Sequence, residues 1–168
     1  MGDVARPRPS RNALAFAISA AFAAGAPSAL ANPSGATIVR GGVTFSVNGG
    51  VLTVTNTPGS IINWAQFSIA RDEITRFIQQ HAASTVLNRV VGQNPSVILG
   101  SLVSNGRVFL INPSGIAFGQ GAMIDVAGFA ASTLNISDAD FVYGANGYTG
   151  ELIARSAAAQ GMNPVLAG

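Results

Sequence analysis

From Thr37 onward the chain alternates apolar and polar residues in short runs broken by glycine and asparagine. Thr37-Ile38-Val39, Val43-Thr44-Phe45-Ser46-Val47 and Val51-Leu52-Thr53-Val54 are rich in β-branched residues. Their period of two is that of strands with one side on a core. Gly41-Gly42 and Asn48-Gly49-Gly50 separate these runs with residues that tolerate positive φ. Ile61 to Ile69 alternates again, Arg71-Asp72-Glu73 makes a polar corner, and Thr75 to Ile78 reads as the next strand. Further strands are predicted near 97–103, 107–111, 116–118, 123–126 and 129–134. Asn105-Gly106, Pro113-Ser114-Gly115 and Gly119-Gln120-Gly121 punctuate them.

Short strands with glycine and asparagine corners suit a sandwich, a barrel or a β-solenoid. Composition favours the solenoid. Only 10% of the residues are charged and 48% are hydrophobic, with 20 glycines. Stacked turns hide apolar faces inside and require little surface charge. Asn-Pro-Ser occurs at Asn32, Asn94 and Asn112, which reads as repeated turn chemistry, an Asx-type cap followed by a fixed φ.

Composition also removes whole classes of chemistry. Without cysteine there is no disulfide framework, thiolate zinc site or thiol nucleophile. His81 is the sole histidine and reads as a loop residue. No catalytic set and no metal site is predicted. The net charge of +2 is confined to the first 31 residues, where Arg6, Arg8 and Arg11 outnumber Asp3. From Asn32 on, six arginines balance six acids, so no basic patch remains for nucleic acid.

The two ends depart from the strand pattern. A short basic stretch, the uncharged run Ala13 to Ala26, and Ala29-Leu30-Ala31 form the three parts of a secretory signal peptide over 1–31. Cleavage is predicted after Ala31. The apolar run is too short for a membrane span, which needs roughly 20 residues. At the other end, Phe141-Val142-Tyr143 reads as a strand entering a turn spaced by Gly144, Gly147 and Gly150. An Ala-rich helical stretch, Glu151 to Gln160, and an apolar run from Pro164 follow. That order is the opening β-α-β of a dinucleotide fold. The segment resembles the start of saccharopine-dehydrogenase-like reductases, with the ribose-binding group and the rest of the sheet missing. Residues 141–168 are therefore expected to be a truncated fragment, its three glycines a vestigial cofactor cradle, with no cofactor bound by this chain.

The middle of the chain carries more specific motifs. Asn88-Arg89-Val90-Val91-Gly92 is followed by Pro95 to Gly100, then by Asn105-Gly106-Arg107-Val108-Phe109-Leu110-Ile111-Asn112-Pro113-Ser114-Gly115 and, downstream, Ala131 to Ser137. The series resembles the secretion domain of filamentous haemagglutinin-like exoproteins, the haemagglutination activity or two-partner secretion domain. Ile61 to Ile69 fits the family's first turns.

The resemblance implies that residues 32–140 form part of a right-handed parallel β-helix. It implies export by an outer-membrane transporter whose periplasmic domains recognise this segment. It also implies a place outside the cell or on its surface, with a host-cell or surface ligand. The family's Asn-Pro-Asn-Gly motif falls on Asn112, Pro113, Ser114 and Gly115, serine replacing the second asparagine. Its second motif, Asn-Pro-Asn-Leu, is absent, so only the front half of the domain is expected. Asn112, Pro113, Ser114, Gly115, Asn88 and Arg89 are the candidate recognition residues, each with a structural alternative: a tight turn for the first four, corner hydrogen bonding for Asn88, and a solvated or paired side chain for Arg89. Two other readings stay open, a fragment of an NAD(P)-dependent oxidoreductase fusion and a non-functional truncated product.

Overall fold

The computed structural model describes residues 32–144. Ten strands and one helix follow in chain order: β1 (Thr37–Arg40), β2 (Val43–Asn48), β3 (Val51–Asn56), β4 (Ser60–Trp64), β5 (Ile74–Ile78), β6 (Thr85–Val90), β7 (Ser96–Ile98), β8 (Ser101–Ile111), β9 (Ile116–Phe118), β10 (Met123–Ser132) and α1 (Asp138–Gly144). From β3 to β10 the ladders are parallel, each joining a strand to one a turn further along the chain. The result is a β-solenoid of about four turns.

Three walls enclose its interior. The first stacks β3, β5 and the opening residues of β8 and β10, as in the row Val51, Ile74, Ser101 and Met123. The second stacks β4, β6 and the closing residues of β8 and β10, as in the row Ile61, Leu87, Phe109 and Ala130. The third is short and holds β7, β9 and a single bridge from Ile69 to Ile98. Leu52, Val54, Ile62, Trp64, Phe67, Phe77, Val86, Leu102, Val108 and Leu110 fill the interior. Two antiparallel strands close the starting end: β2 on β3 through the Gly49-Gly50 hairpin, and β1 on β4.

Several elements differ from the sequence reading. Asn105-Gly106 does not end a strand. It is the corner of the continuous strand β8, where two residues face the single Ala127 of β10 and the ladder shifts register. The side chain of Gln79 fills the space above that corner, donating to Ser104 Oγ at 3.2 Å and to the Arg107 carbonyl at 3.0 Å. A Cβ on Gly106 would meet the Gln79 amide at 2.6 Å and displace it from these bonds. The expected single strand over 97–103 is two, β7 and β8, parted by a corner at Leu99-Gly100. The expected run from Ile61 to Ile69 leaves its ladder at Trp64. Strand β6 had no clear sequence signal.

The end of the described chain is also corrected. Phe141-Val142-Tyr143, expected as a strand, lies in α1. An N-cap starts that helix: Ser137 Oγ accepts from the Asp140 amide at 3.1 Å and donates to the Asp140 carboxylate at 2.6 Å. Phe141 then packs edge to face on Phe109 with ring centroids 5.3 Å apart. It joins a second cluster with Ile61, Leu87, Ile111 and Ile136 on the outer side of the second wall. A boundary between 140 and 141 therefore cuts through a helix whose best-buried residue belongs to the solenoid's packing. The expected signal peptide, Gly147, Gly150 and the helix and second strand of the reductase-like fragment lie outside the described residues.

Candidate functional site

The residues singled out by motif sit on one stretch of the second wall and the corner that follows it. Asn88 and Arg89 are neighbours on β6, paired in register with Leu110 and Ile111 of β8. Asn112 comes next in the chain, at the corner between β8 and β9. Strand alternation sends Asn88 inward and Arg89 outward, and the two do different work.

Asn88 is fully buried. Its Oδ1 accepts from the Trp64 indole N–H at 2.9 Å, and its Nδ2 donates to the Phe109 carbonyl at 3.3 Å. One side chain thus ties three successive turns together and satisfies the only polar atom of the buried tryptophan. Arg89 acts as a clamp on the outside. Its guanidinium donates to the Ile136 carbonyl at 2.6 Å, to Asp138 at 2.7 Å, to Asn135 Oδ1 at 2.9 Å and to Asn63 Oδ1 at 3.4 Å. The segment 133–144 is held against the wall by this fork and by Phe141.

Asn112 is also fully buried. Its Nδ2 donates to the Asn94 carbonyl at 3.0 Å and to Ser96 Oγ at 2.9 Å, locking the corner onto the corresponding corner of the turn before it. Its Oδ1 accepts from the Ser114 amide at 2.9 Å, an Asx turn. Its carbonyl accepts from the Gly115 amide at 3.0 Å, closing a β-turn over 112–115. Gly115 has φ of 116°, which a residue with a Cβ rarely adopts. Every polar group of Asn112 is used internally, whereas Pro113 and Ser114 project into solvent. A partner meeting this corner would touch Pro113 and Ser114, with Asn112 setting their shape.

Gly144 is the buried last residue of α1, not the first glycine of a strand-to-helix turn. Among the described residues no group of three or more histidine, aspartate or glutamate side chains is placed to hold a metal. A groove of about 580 Å³ lies between β1 and α1, lined by Val39, Arg40, Ile61, Asp138, Val142 and Tyr143. The clamp made by Arg89 and the Gln79–Gly106 corner were not legible as such. Their only sequence signals are an arginine at an outward strand position and a glycine within a strand.

The fold is thus a parallel β-solenoid, closed at its start by antiparallel strands and bearing an asparagine-capped corner. The sequence profile of the TPS secretion domain matches residues 23–153, most of the chain, and the protein belongs to this two-partner secretion family. The crystal structure of the HMW1 secretion domain from Haemophilus influenzae superposes with a TM-score of 0.65 at 43% identity, over 66% of this chain and 30% of that one. The heme/hemopexin-binding protein of Haemophilus influenzae Rd is 40% identical over 105 residues, which is 62% of this chain and 12% of that protein. A second heme/hemopexin-binding protein of Haemophilus influenzae is 41% identical over 75 residues, 45% of this chain and 8% of the relative. The chain thus spans about a tenth of the curated relatives it matches. Domains of this family direct the secretion of exoproteins by way of a transporter partner.

Proposed function

We propose that this chain is the secretion-targeting module of a haemagglutinin-like exoprotein, recognised in the periplasm by the periplasmic domains of an outer-membrane transporter. Residues 1–31 carry it across the inner membrane and are removed after Ala31. The exported segment then presents strands to the transporter, whose backbone adds to them by β-augmentation. Outside, the module takes its place on the cell surface and leaves the binding of a host or surface ligand to the exoprotein it leads. It works without catalysis and without a cofactor.

The observation that carries this reading is the division of labour in the 112–115 turn. A fully buried Asn112 fixes the conformation, while Pro113 and Ser114 are left on the surface. Pro113 also presets the φ of the turn, whereas a corner needed only for packing makes no demand on the exposed Ser114 side chain, so a surface change at Ser114 separates recognition from folding. Ser114→Arg is expected to lower export through a matching transporter while leaving the thermal midpoint unchanged, and Pro113→Ala to lower export with a small loss of stability, about 0.4–1 kcal/mol. Asn112→Ala is expected to lower both, since loss of a cap of this kind costs about 1 kcal/mol. His81→Ala, at an exposed loop position, is the control. Normal export of Ser114→Arg and Pro113→Ala would leave the turn a packing device alone. N-terminal sequencing of the exported protein is expected to begin at Asn32.

A further inference from the structure

An asparagine side chain can react with its own backbone. The nitrogen of the following residue attacks the side-chain carbonyl carbon, so that residue must carry an N–H and leave room for the ring. Most asparagines of this chain fail one condition. Asn32, Asn94 and Asn112 precede proline, which has no N–H. Asn56 and Asn135 precede the β-branched Thr57 and Ile136, and Asn63 and Asn88 precede the bulky Trp64 and Arg89. Asn48 and Asn105 precede glycine, which leaves the attack unhindered. Asn146 also precedes a glycine but lies outside the described residues.

The fold treats these two Asn-Gly steps in opposite ways. At the corner of β8 the Asn105 side chain is tied at both ends. Its Oδ1 accepts from the Gln79 amide at 2.7 Å, and its Nδ2 donates to the Gln79 carbonyl at 2.7 Å. The attacking group is occupied as well, since the buried Gly106 donates its amide to Ser104 Oγ at 3.0 Å. Ring closure there would break three hydrogen bonds within the wall. Asn48 is exposed and stands opposite Val51 at the last pair of the β2–β3 hairpin. Among the described residues its side chain has no hydrogen-bond partner. Gly49 is exposed, has φ of 56°, and a Cβ built on it would meet nothing within 4 Å. Strand β2 is the outermost of its sheet, so this end opens without disturbing a further ladder. The far side of the turn stays pinned. The Gly50 carbonyl accepts from the Ile74 amide at 2.9 Å and from Asn32 Nδ2 at 2.8 Å.

We propose that Asn48 is a site of spontaneous deamidation, at which the hairpin closing the start of the solenoid is covalently modified with time. The Gly49 nitrogen gives its proton to solvent base and bonds to Asn48 Cγ. The Cγ–Nδ2 bond then breaks, and the amide nitrogen takes a proton from water and leaves as ammonia. A succinimide ring remains. Water adds to either of its carbonyls and opens it to aspartate or to isoaspartate. The sum consumes one water and releases one ammonia, with no oxidant, reductant or cofactor. Either product adds a negative charge to a turn that already lies on an acidic corner: a Cβ on Gly50 would meet the Asp72 carbonyl at 3.2 Å and Glu73 Cγ at 3.7 Å. Isoaspartate also lengthens the main chain by one carbon between 48 and 49. The pairs Asn48–Val51 and Val47–Leu52 then lose their register. Strand β2, whose Phe45 packs edge to face on Trp64 with ring centroids 5.7 Å apart, is loosened from its hairpin end.

The test incubates the full chain in mildly alkaline buffer and follows it by tryptic peptide mapping. Arg40 and Arg71 bracket Asn48, Arg89 and Arg107 bracket Asn105, and Asn146 falls on a third peptide, so the three sites separate. The mass gain of amide-to-acid exchange reads each site, and an isoaspartate-specific methyltransferase identifies the rearranged product. In the folded chain Asn48 is expected to react faster than Asn105 by on the order of tenfold to a hundredfold, the effect of the hydrogen bonds that hold Asn105. In urea the two rates are expected to converge, since only the fold distinguishes the two sites. Asn48→Gln is expected to abolish modification at that position. Hydrogen exchange of the modified chain is expected to be faster in β2 and unchanged in β8. Equal rates at Asn48 and Asn105 in the folded chain would overturn the proposal. So would an Asn48 that stays intact for as long as the unfolded chain takes to react. Unchanged β2 exchange in a fully modified chain would refute the loosening of the hairpin. None of these readouts depends on the transporter.

Discussion

Ile62, Val86, Val108 and Leu110 line the inner side of the second wall, and Ile61, Leu87, Phe109 and Ile111 its outer side. Both sides are apolar and both are covered, but by different means. The inner side is covered by the other two walls, wound from the same continuous chain. The outer side is covered by the single segment 133–144, laid across it and held by Ile136, Phe141 and the Arg89 fork. Removing the inner cover requires unwinding the solenoid. Removing the outer one requires only lifting a strap. The two sides of one sheet therefore belong to different cooperative units, global unfolding within and local opening without.

The strongest way to break this distinction acts on the inner side. Trp64→Ala is expected to destabilise the whole fold by about 3–5 kcal/mol. It empties a fully buried site and leaves Asn88 Oδ1 without its donor. Urea unfolding followed by circular dichroism measures the loss, and a change below about 1 kcal/mol would refute the inner assignment. Phe141→Ala tests the outer side. The residue contributes about 3 kcal/mol by its size, yet the strap can detach first, so the global midpoint should fall by less. Amides of 138–144 should exchange freely while those of β8 stay protected. Equal global losses for the two variants would merge the two units. Truncation after Asp140 removes Phe141 altogether and should match Phe141→Ala, in contrast to the harmless deletion that a boundary at 140 predicts. Arg89→Ala is the smallest perturbation, about 1–2 kcal/mol for hydrogen bonds to a charged group. Arg89→Lys should recover little of it, because an ammonium cannot serve four acceptors arranged around a planar fork. Exchange of the 135–144 amides reads both variants.

The same contrast explains what could be read from the sequence. The β2–β3 hairpin was legible because Asn48-Gly49-Gly50 has the chemistry a tight reversal demands, and the strands around it alternate. The corner at 112–115 was legible as a turn for the same reason. Strand β6 was not: Thr85-Val86-Leu87-Asn88-Arg89-Val90 is buried on both sides except at Arg89, so the period of two is erased. Asn105-Gly106 misled in the other direction, since its turn chemistry serves a bend inside one strand. Phe141-Val142-Tyr143 read as a strand on its apolar and β-branched content. Ser137 and Asp140 set the helix instead, and the outer apolar patch around Phe109, far back in the sequence, gave Phe141 its place. Of the candidate residues, Asn88, Arg89 and Asn112 stood out by motif but without a direction, because strand parity is fixed only once the register of the turns is known.

Each parallel ladder joins a strand to the one a single turn further along the chain. No turn waits for the distant end of the chain before it can be built. Order of appearance and order of assembly can then coincide: the antiparallel start forms first, and every finished turn is the template on which the next is laid. Such growth is one-dimensional, closer to crystallisation on an existing face than to the collapse of a globule, and its free energy arrives in increments of one turn. A chain delivered end first through a narrow passage needs no external scaffold to fold in this manner. Each increment deposited on the far side makes the return journey less favourable than the step before it.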